Sequence, residues 1–124
     1  MDGRKNCTAL KERMFRLAHC DWQGQVHFTE GNVLHLQLTG DTLTVEAPDL
    51  SGMARGCFLA ACALREGKPV PALDQTRHIA SCGAMLDMSR GGVMTVAAVK
   101  GMIDAHAALG LNLMMLYTED TYTV

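Results

Sequence analysis

The sequence predicts an α/β protein, a small α+β sheet-and-helix domain followed by a parallel βαβ unit. Three observations carry that expectation. Residues 34–47 hold two alternating runs, Leu34, Leu36, Leu38 and Leu43, Val45, Ala47, on either side of Gly40-Asp41, which is a hairpin signal. Residues 8–20 and 50–66 repeat apolar side chains at three- and four-residue spacing, as amphipathic helices do. From Gly83 onward an apolar run, a helix-period stretch and a second apolar run succeed one another, with Gly91-Gly92 and Gly110 at the junctions.

In the first helix the apolar stripe is Leu10, Met14, Leu17 and Ala18, with Thr8 or Asn6 as its cap. After Gly24, Val26 and Phe28 alternate with polar neighbours as a short strand, and the hairpin follows. Pro48 and Asp49 open the second helix, whose stripe is Ala54, Cys57, Phe58, Ala61 and Leu64 and whose stop is Gly67. Residues 68–76, with Pro69 and Pro71, read as a surface connection. Residues 1–76 are thus expected to be one domain, α-β-β-β-α, with its helices on one face of a small sheet. In residues 77–124, strands at 83–88 and 112–118 flank a helix. Its Val96, Val99, Ile103 and Leu109 should cover both strands, because a right-handed crossover puts the helix on the sheet.

This second unit resembles the start of a TIM barrel. A whole barrel takes about 250 residues, so residues 77–124 are expected to form only its first βαβ. Met85, Leu86, Met114, Met115 and Leu116 would then be exposed, favouring a homo-oligomer or association with another chain. No internal repeat or low-complexity segment is visible.

Composition narrows the function classes. Of 124 residues, 48% are hydrophobic and 19% charged, as in a globular protein. The net charge of −2 and pI near 6.2 give no general attraction to nucleic acid or anionic lipid. No stretch approaches the roughly 20 apolar residues that span a bilayer, and the first residues lack a signal-peptide core, so a cytoplasmic location is expected. Five cysteines without CxxC spacing read as reduced, structural thiols. His27, His35, His78 and His106 show no metal-ligand spacing. His35 is placed on the polar face of its strand and His106 on the wet face of its helix. No metal or cofactor is expected.

The chemistry concentrates at the carboxyl ends of the two late strands. Beyond the first stand Asp87, Ser89 and Arg90; beyond the second, Glu119 and Asp120. A parallel βαβ unit brings both ends to one edge, where α/β proteins bind ligands. The Arg90 guanidinium is a fork of donors suited to carboxylate, phosphate or paired sugar hydroxyls, and Asp87 could hold it. A solvated Arg–Asp surface pair is the plain alternative. The Ser-Arg-Gly-Gly turn before a helix could instead cradle a phosphate, though it lacks GxGxxG and the Walker GK[ST].

Leu86-Asp87-Met88-Ser89-Arg90, then Leu109-Gly110-Leu111-Asn112, then Leu116-Tyr117-Thr118-Glu119-Asp120-Thr121-Tyr122 resemble the first two barrel strands of glycoside hydrolase family 20. The likeness is greatest to bacterial β-N-acetylhexosaminidases, whose strands run D-x-S-R-N-A-V and L-Y-x-E-D-T-Y. Residues 8–66 resemble, in order, the α/β domain that precedes that barrel. The resemblance implies retaining hydrolysis of terminal β-linked N-acetylglucosamine or N-acetylgalactosamine, with the substrate's own acetamido carbonyl as nucleophile. An amino-sugar glycan would be the partner of the full-length enzyme. It also implies that Arg90 binds the sugar O3 and O4, that Asp87 supports it, and that Glu119 and Asp120 line or brace the same pocket. Gly91-Gly92 stands where Asn-Ala or His followed by an aromatic residue is usual in the family. The family's catalytic Asp-Glu pair belongs near the fourth barrel strand and has no counterpart in these residues; Glu119-Asp120 has the opposite order. These 124 residues alone are therefore expected to be inactive. The other reading is a non-enzymatic α/β self-association module.

Overall fold

A computed structural model describes residues 3–89 and 91–119, with residues 3–7 as backbone only. The elements run α1 (Gly3–Leu17), β1 (Gln25–Glu30), β2 (Leu34–Thr39), β3 (Thr42–Ala47), α2 (Leu50–Arg65), β4 (Asp74–Gln75), β5 (Gly83–Asp87), α3 (Val96–Ala108) and β6 (Leu113–Tyr117). The mixed α/β class and the order α-β-β-β-α, then β-α-β, agree with the sequence.

The first helix starts earlier than its apolar stripe and stops at Leu17, because His19 takes a positive φ of 52°. There the Cys20 N–H bonds the Phe15 carbonyl at 2.9 Å, closing the last turn. α2 begins where the Asp49 carboxylate accepts the Gly52 N–H at 2.8 Å, and ends at Gly67, with φ 64°.

The hairpin pairs β2 with β3 antiparallel across Gly40, which has φ 57°. β1 lies parallel to β3 on its other side, so the sheet order is β1-β3-β2-β4. The link from β1 to β2 therefore vaults the end of β3, where the Gly31 N–H bonds the Ala47 carbonyl at 3.2 Å. β4 is a two-residue strand inside the stretch expected to be plain connection, and it pairs with Leu34 and His35. Leu34, Leu36, Leu43, Val45 and Ala47 all point to one face, under α2, while the other face is polar. α2 packs closely on this sheet. At Gly56 a side chain would run into Leu34, Leu36 and Val45.

β5 and β6 pair in parallel, in the register Gly83↔Leu113 to Asp87↔Tyr117, as the sequence predicts for neighbouring strands joined by a helix. The helix between them does not sit as expected. Val96, Ile103 and Leu109 are 72%, 47% and 63% exposed, whereas Ala107 and Ala108 turn into the core. Small side chains let α3 come close to α2 and α1, and that contact governs its rotation. Two polar clasps hold it there. Arg13 Nε donates to Asp104 at 2.8 Å, and Arg55 donates to the Leu109 carbonyl at the α3 carboxyl end and to Gln75 of β4.

Candidate functional site at the strand ends

The parallel pairing places Asp87 and Tyr117 side by side at the carboxyl edge of the two-stranded sheet. Beyond them the Met88 N–H donates to the Tyr117 carbonyl at 2.8 Å, extending the ladder by one bond. Asp87 Oδ1 accepts the Ser89 N–H at 2.8 Å and also the Ser89 hydroxyl, a short-range turn that Asp makes readily. Those two bonds, the hydroxyl first and then the backbone N–H, hold the exposed Asp87 carboxyl below its ordinary pKa. Tyr117 donates its phenol to Glu119 Oε1 at 3.2 Å. Thus Asp87 and Glu119, expected on one edge, are brought to one edge. Arg90 and Asp120 lie outside the described residues.

Tyr117 is a member of this edge that the sequence reading passed over. Its signal was available, since Leu113, Met115 and Tyr117 share one side of a strand and Tyr117 pairs with Asp87. On the same side lie Met85 and Met115, 61% and 50% exposed. The edge is therefore an acceptor-rich rim above an apolar floor. It suits a ligand that presents hydroxyls to the carboxylates and carbon–hydrogen surface to the floor.

The opposite edge of the unit is structural. Asn112 donates to the Ala80 carbonyl and accepts the Cys82 N–H, tying the two strand starts together. Nearby, Arg77 reaches both Asp49 and Ser51, fastening the linker to the first turn of α2. Partial burial works to raise the Asp49 pKa. The bonds from Arg77, the Gly52 N–H and Ser51 outweigh it, and the net direction is downward.

His35 lies as expected on the polar side of its strand, with Nδ1 near the Leu73 carbonyl and Asp74 at 3.1 and 3.2 Å. His106 does not lie on a wet face. Its Nδ1 donates to the Met102 carbonyl at 2.7 Å, and its Nε2 is buried with no hydrogen-bond partner among the described residues. The helix turns this side toward α1 and α2, since its alanines give periodicity no way to choose a face. No group of three or more His, Cys, Asp or Glu among the described residues could hold a metal ion. No helix among them is long and apolar enough to cross a membrane.

Comparison with protein-family models, with curated proteins and with solved structures finds no match.

Proposed function

We propose that this chain carries the opening of a β-N-acetylhexosaminidase of the retaining, substrate-assisted kind: a preceding α/β domain and the first βαβ of a catalytic barrel. One observation supports this above the others. The two strands that bear D-x-S-R and L-Y-x-E-D are parallel neighbours in register, with Asp87 and Glu119 emerging at the same edge. In this reading Arg90 binds the hydroxyls of a terminal amino sugar. Asp87 fixes the loop carrying Arg90 through Ser89, and Tyr117 and Glu119 brace the same rim. The resemblance gives Asp120 the same bracing role. The general acid and the Asp that orients the acetamido group would be supplied by later barrel strands. The described cysteines, Cys20, Cys57, Cys62 and Cys82, are free thiols, in keeping with a cytoplasmic setting.

The test has two parts. These 124 residues should not cleave a chromogenic β-N-acetylglucosaminide. The reading frame beyond the Val124 codon should encode further βα units with an adjacent Asp-Glu pair. The protein so extended should turn over the substrate, and Arg90→Ala should lower kcat/KM by about 10²-fold or more, the loss that follows a misplaced substrate. A stop codon with no such frame, or an extended protein that spares N-acetylhexosaminides, would overturn the reading.

A second reading, a non-enzymatic self-association module, is favoured by a separate observation. Met85, Leu113, Met115 and Tyr117 form an exposed apolar side on a sheet with two unpaired edges among the described residues.

A further inference from the structure

Three hollows in the surface differ in what their polar groups are doing. In one of about 190 Å³, between α2, β4 and the turn before β6, Arg55 is bound to Gln75 and the Leu109 carbonyl, and Arg77 to Asp49 and Ser51. In another of about 420 Å³, between the three helices, Arg13 pairs with Asp104 and Asn112 ties Ala80 to Cys82. The charged groups of both serve the fold. The third, of about 370 Å³, lies where the link from α1 to β1 meets the hairpin turn, and it is different. It is lined by Trp22, Gln23, Gly24, Gln25, Asp41 and Thr42. The Gln25 amide, the Asp41 carboxylate and the Thr42 hydroxyl make no hydrogen bond to any other described residue.

The frame of this hollow is fixed. Gln25 and Thr42 are cross-strand partners, and the Gln25 N–H donates to the Asp41 carbonyl at 2.7 Å. Lys11 donates to the Gly24 carbonyl at 2.7 Å. Trp22 stacks on Phe15 with ring centroids 5.8 Å apart, and its ring lies so close to Gly24 that no side chain fits at that position. The volume lies within the range of small-ligand clefts, about 300–1,000 Å³.

We propose that this hollow binds a neutral sugar ring. The ligand class follows from charge and from donor count. Asp41 is the one charged side chain in the lining. The Lys11 ammonium stands 5.7 Å from the centroid of the Trp22 ring, so its charge opposes that of Asp41 and no net charge favours an ionic ligand over a neutral one. A neutral polyol satisfies the rest. Each hydroxyl both donates and accepts, matching a carboxylate that accepts, an amide that does both and a hydroxyl that does both. The carbon–hydrogen surface of the sugar ring meets the part of the indole that lines the hollow. The site belongs to the amino-terminal sheet, apart from the strand ends of the βαβ unit, and stands independently of the hexosaminidase reading.

Trp22 is the chain's one tryptophan, so the indole signal comes from a side chain that lines this hollow. Titration of the full chain with N,N′-diacetylchitobiose, and separately with cellobiose, is expected to give a saturable change with at least one of them. Gln25→Ala and Asp41→Asn should each weaken binding about fivefold or more, the loss of one hydrogen bond, while their circular dichroism stays that of the parent. Lys100→Ala, an exposed position on α3 that lines none of these hollows, should leave the titration unchanged. No saturable change with either sugar, or a change that both hollow variants retain in full, would overturn the proposal. A response lost in Arg90→Ala and kept in Gln25→Ala would assign sugar binding to the strand edge instead.

Discussion

At the scale of single residues, two helical glycines make opposite predictions. Gly56 in α2 faces Leu34, Leu36 and Val45 so closely that an added methyl has no room, while nothing lies within 4 Å of the same point on Gly101 in α3. Gly101→Ala should therefore raise stability by about 1 kcal/mol through helix propensity alone. Gly56→Ala has the same gain available but forces the core apart, and should lower stability by about 1–3 kcal/mol on balance. Urea midpoints of the two variants against the parent decide the matter; equal shifts would mean that α2 is not seated as described. Sequence shows both glycines and not the difference, because the crowding comes from the hairpin, an element distant in the chain from the helix turn it meets. Asp87 is a contrasting case. Its bonds to Ser89 are to a residue two places on, so the turn is written locally. His106 was misplaced because its helix is rich in alanine on several sides.

At the scale of elements, Arg77 with Asp49 and Ser51 fastens the linker to the start of α2, beside the α3 contacts that also join the two units. The Asp49 pKa is lowered in the folded chain from its ordinary 3.8. A carboxyl depressed on folding contributes stability that is present above its unfolded pKa and lost as the pH falls through the folded value. Arg77→Met should accordingly lower stability at neutral pH, by no more than about 1 kcal/mol because the pair is partly exposed. The gap between variant and parent should close when both are unfolded well below pH 4. A gap of the same size at both pH values would show that Arg77 acts through packing and not through this carboxylate. Hairpin, helices and parallel strand pair were all legible from spacing and turn residues. β4 was not, since two residues carry no period and the strand exists only because β2 offers an open edge. The parallel seat of β1 beside β3 was equally hidden. Alternation tells which face of a strand is buried and is silent about its neighbour.

At the scale of the whole molecule, the two units differ in how their sheet faces are covered. The amino-terminal sheet has one face covered by α2, whereas parallel sheets normally have both faces covered, and β5–β6 leaves Met85, Leu113, Met115 and Tyr117 exposed on one side. Light scattering across a range of concentrations should show association of the chain, with binding of a hydrophobic dye by the dissociated form. Met115→Glu should reduce both, by placing a charge in the middle of the apolar side. A monomer that binds no dye would mean that the unit repacks on itself, and the barrel reading would lose most of its support. That this pair of strands keeps an open side was legible in the sequence, because two strands and one helix offer few partners whatever their detail. Which side of the unit stayed bare could not, since that depends on how α3 docks to helices far away in the chain.

The thiol of Cys57, midway along α2, has no exposed surface, and burial pushes its pKa up to about 12. Only a thiolate is alkylated, so this sulfur should be inert until the helix lifts from the sheet. Cys82, on the linker, is exposed and open to reagent from the start. One molecule thus carries both a clock and its reference mark. Timed alkylation read by mass spectrometry should label Cys82 at once, and Cys57 at a rate set by how often the core opens.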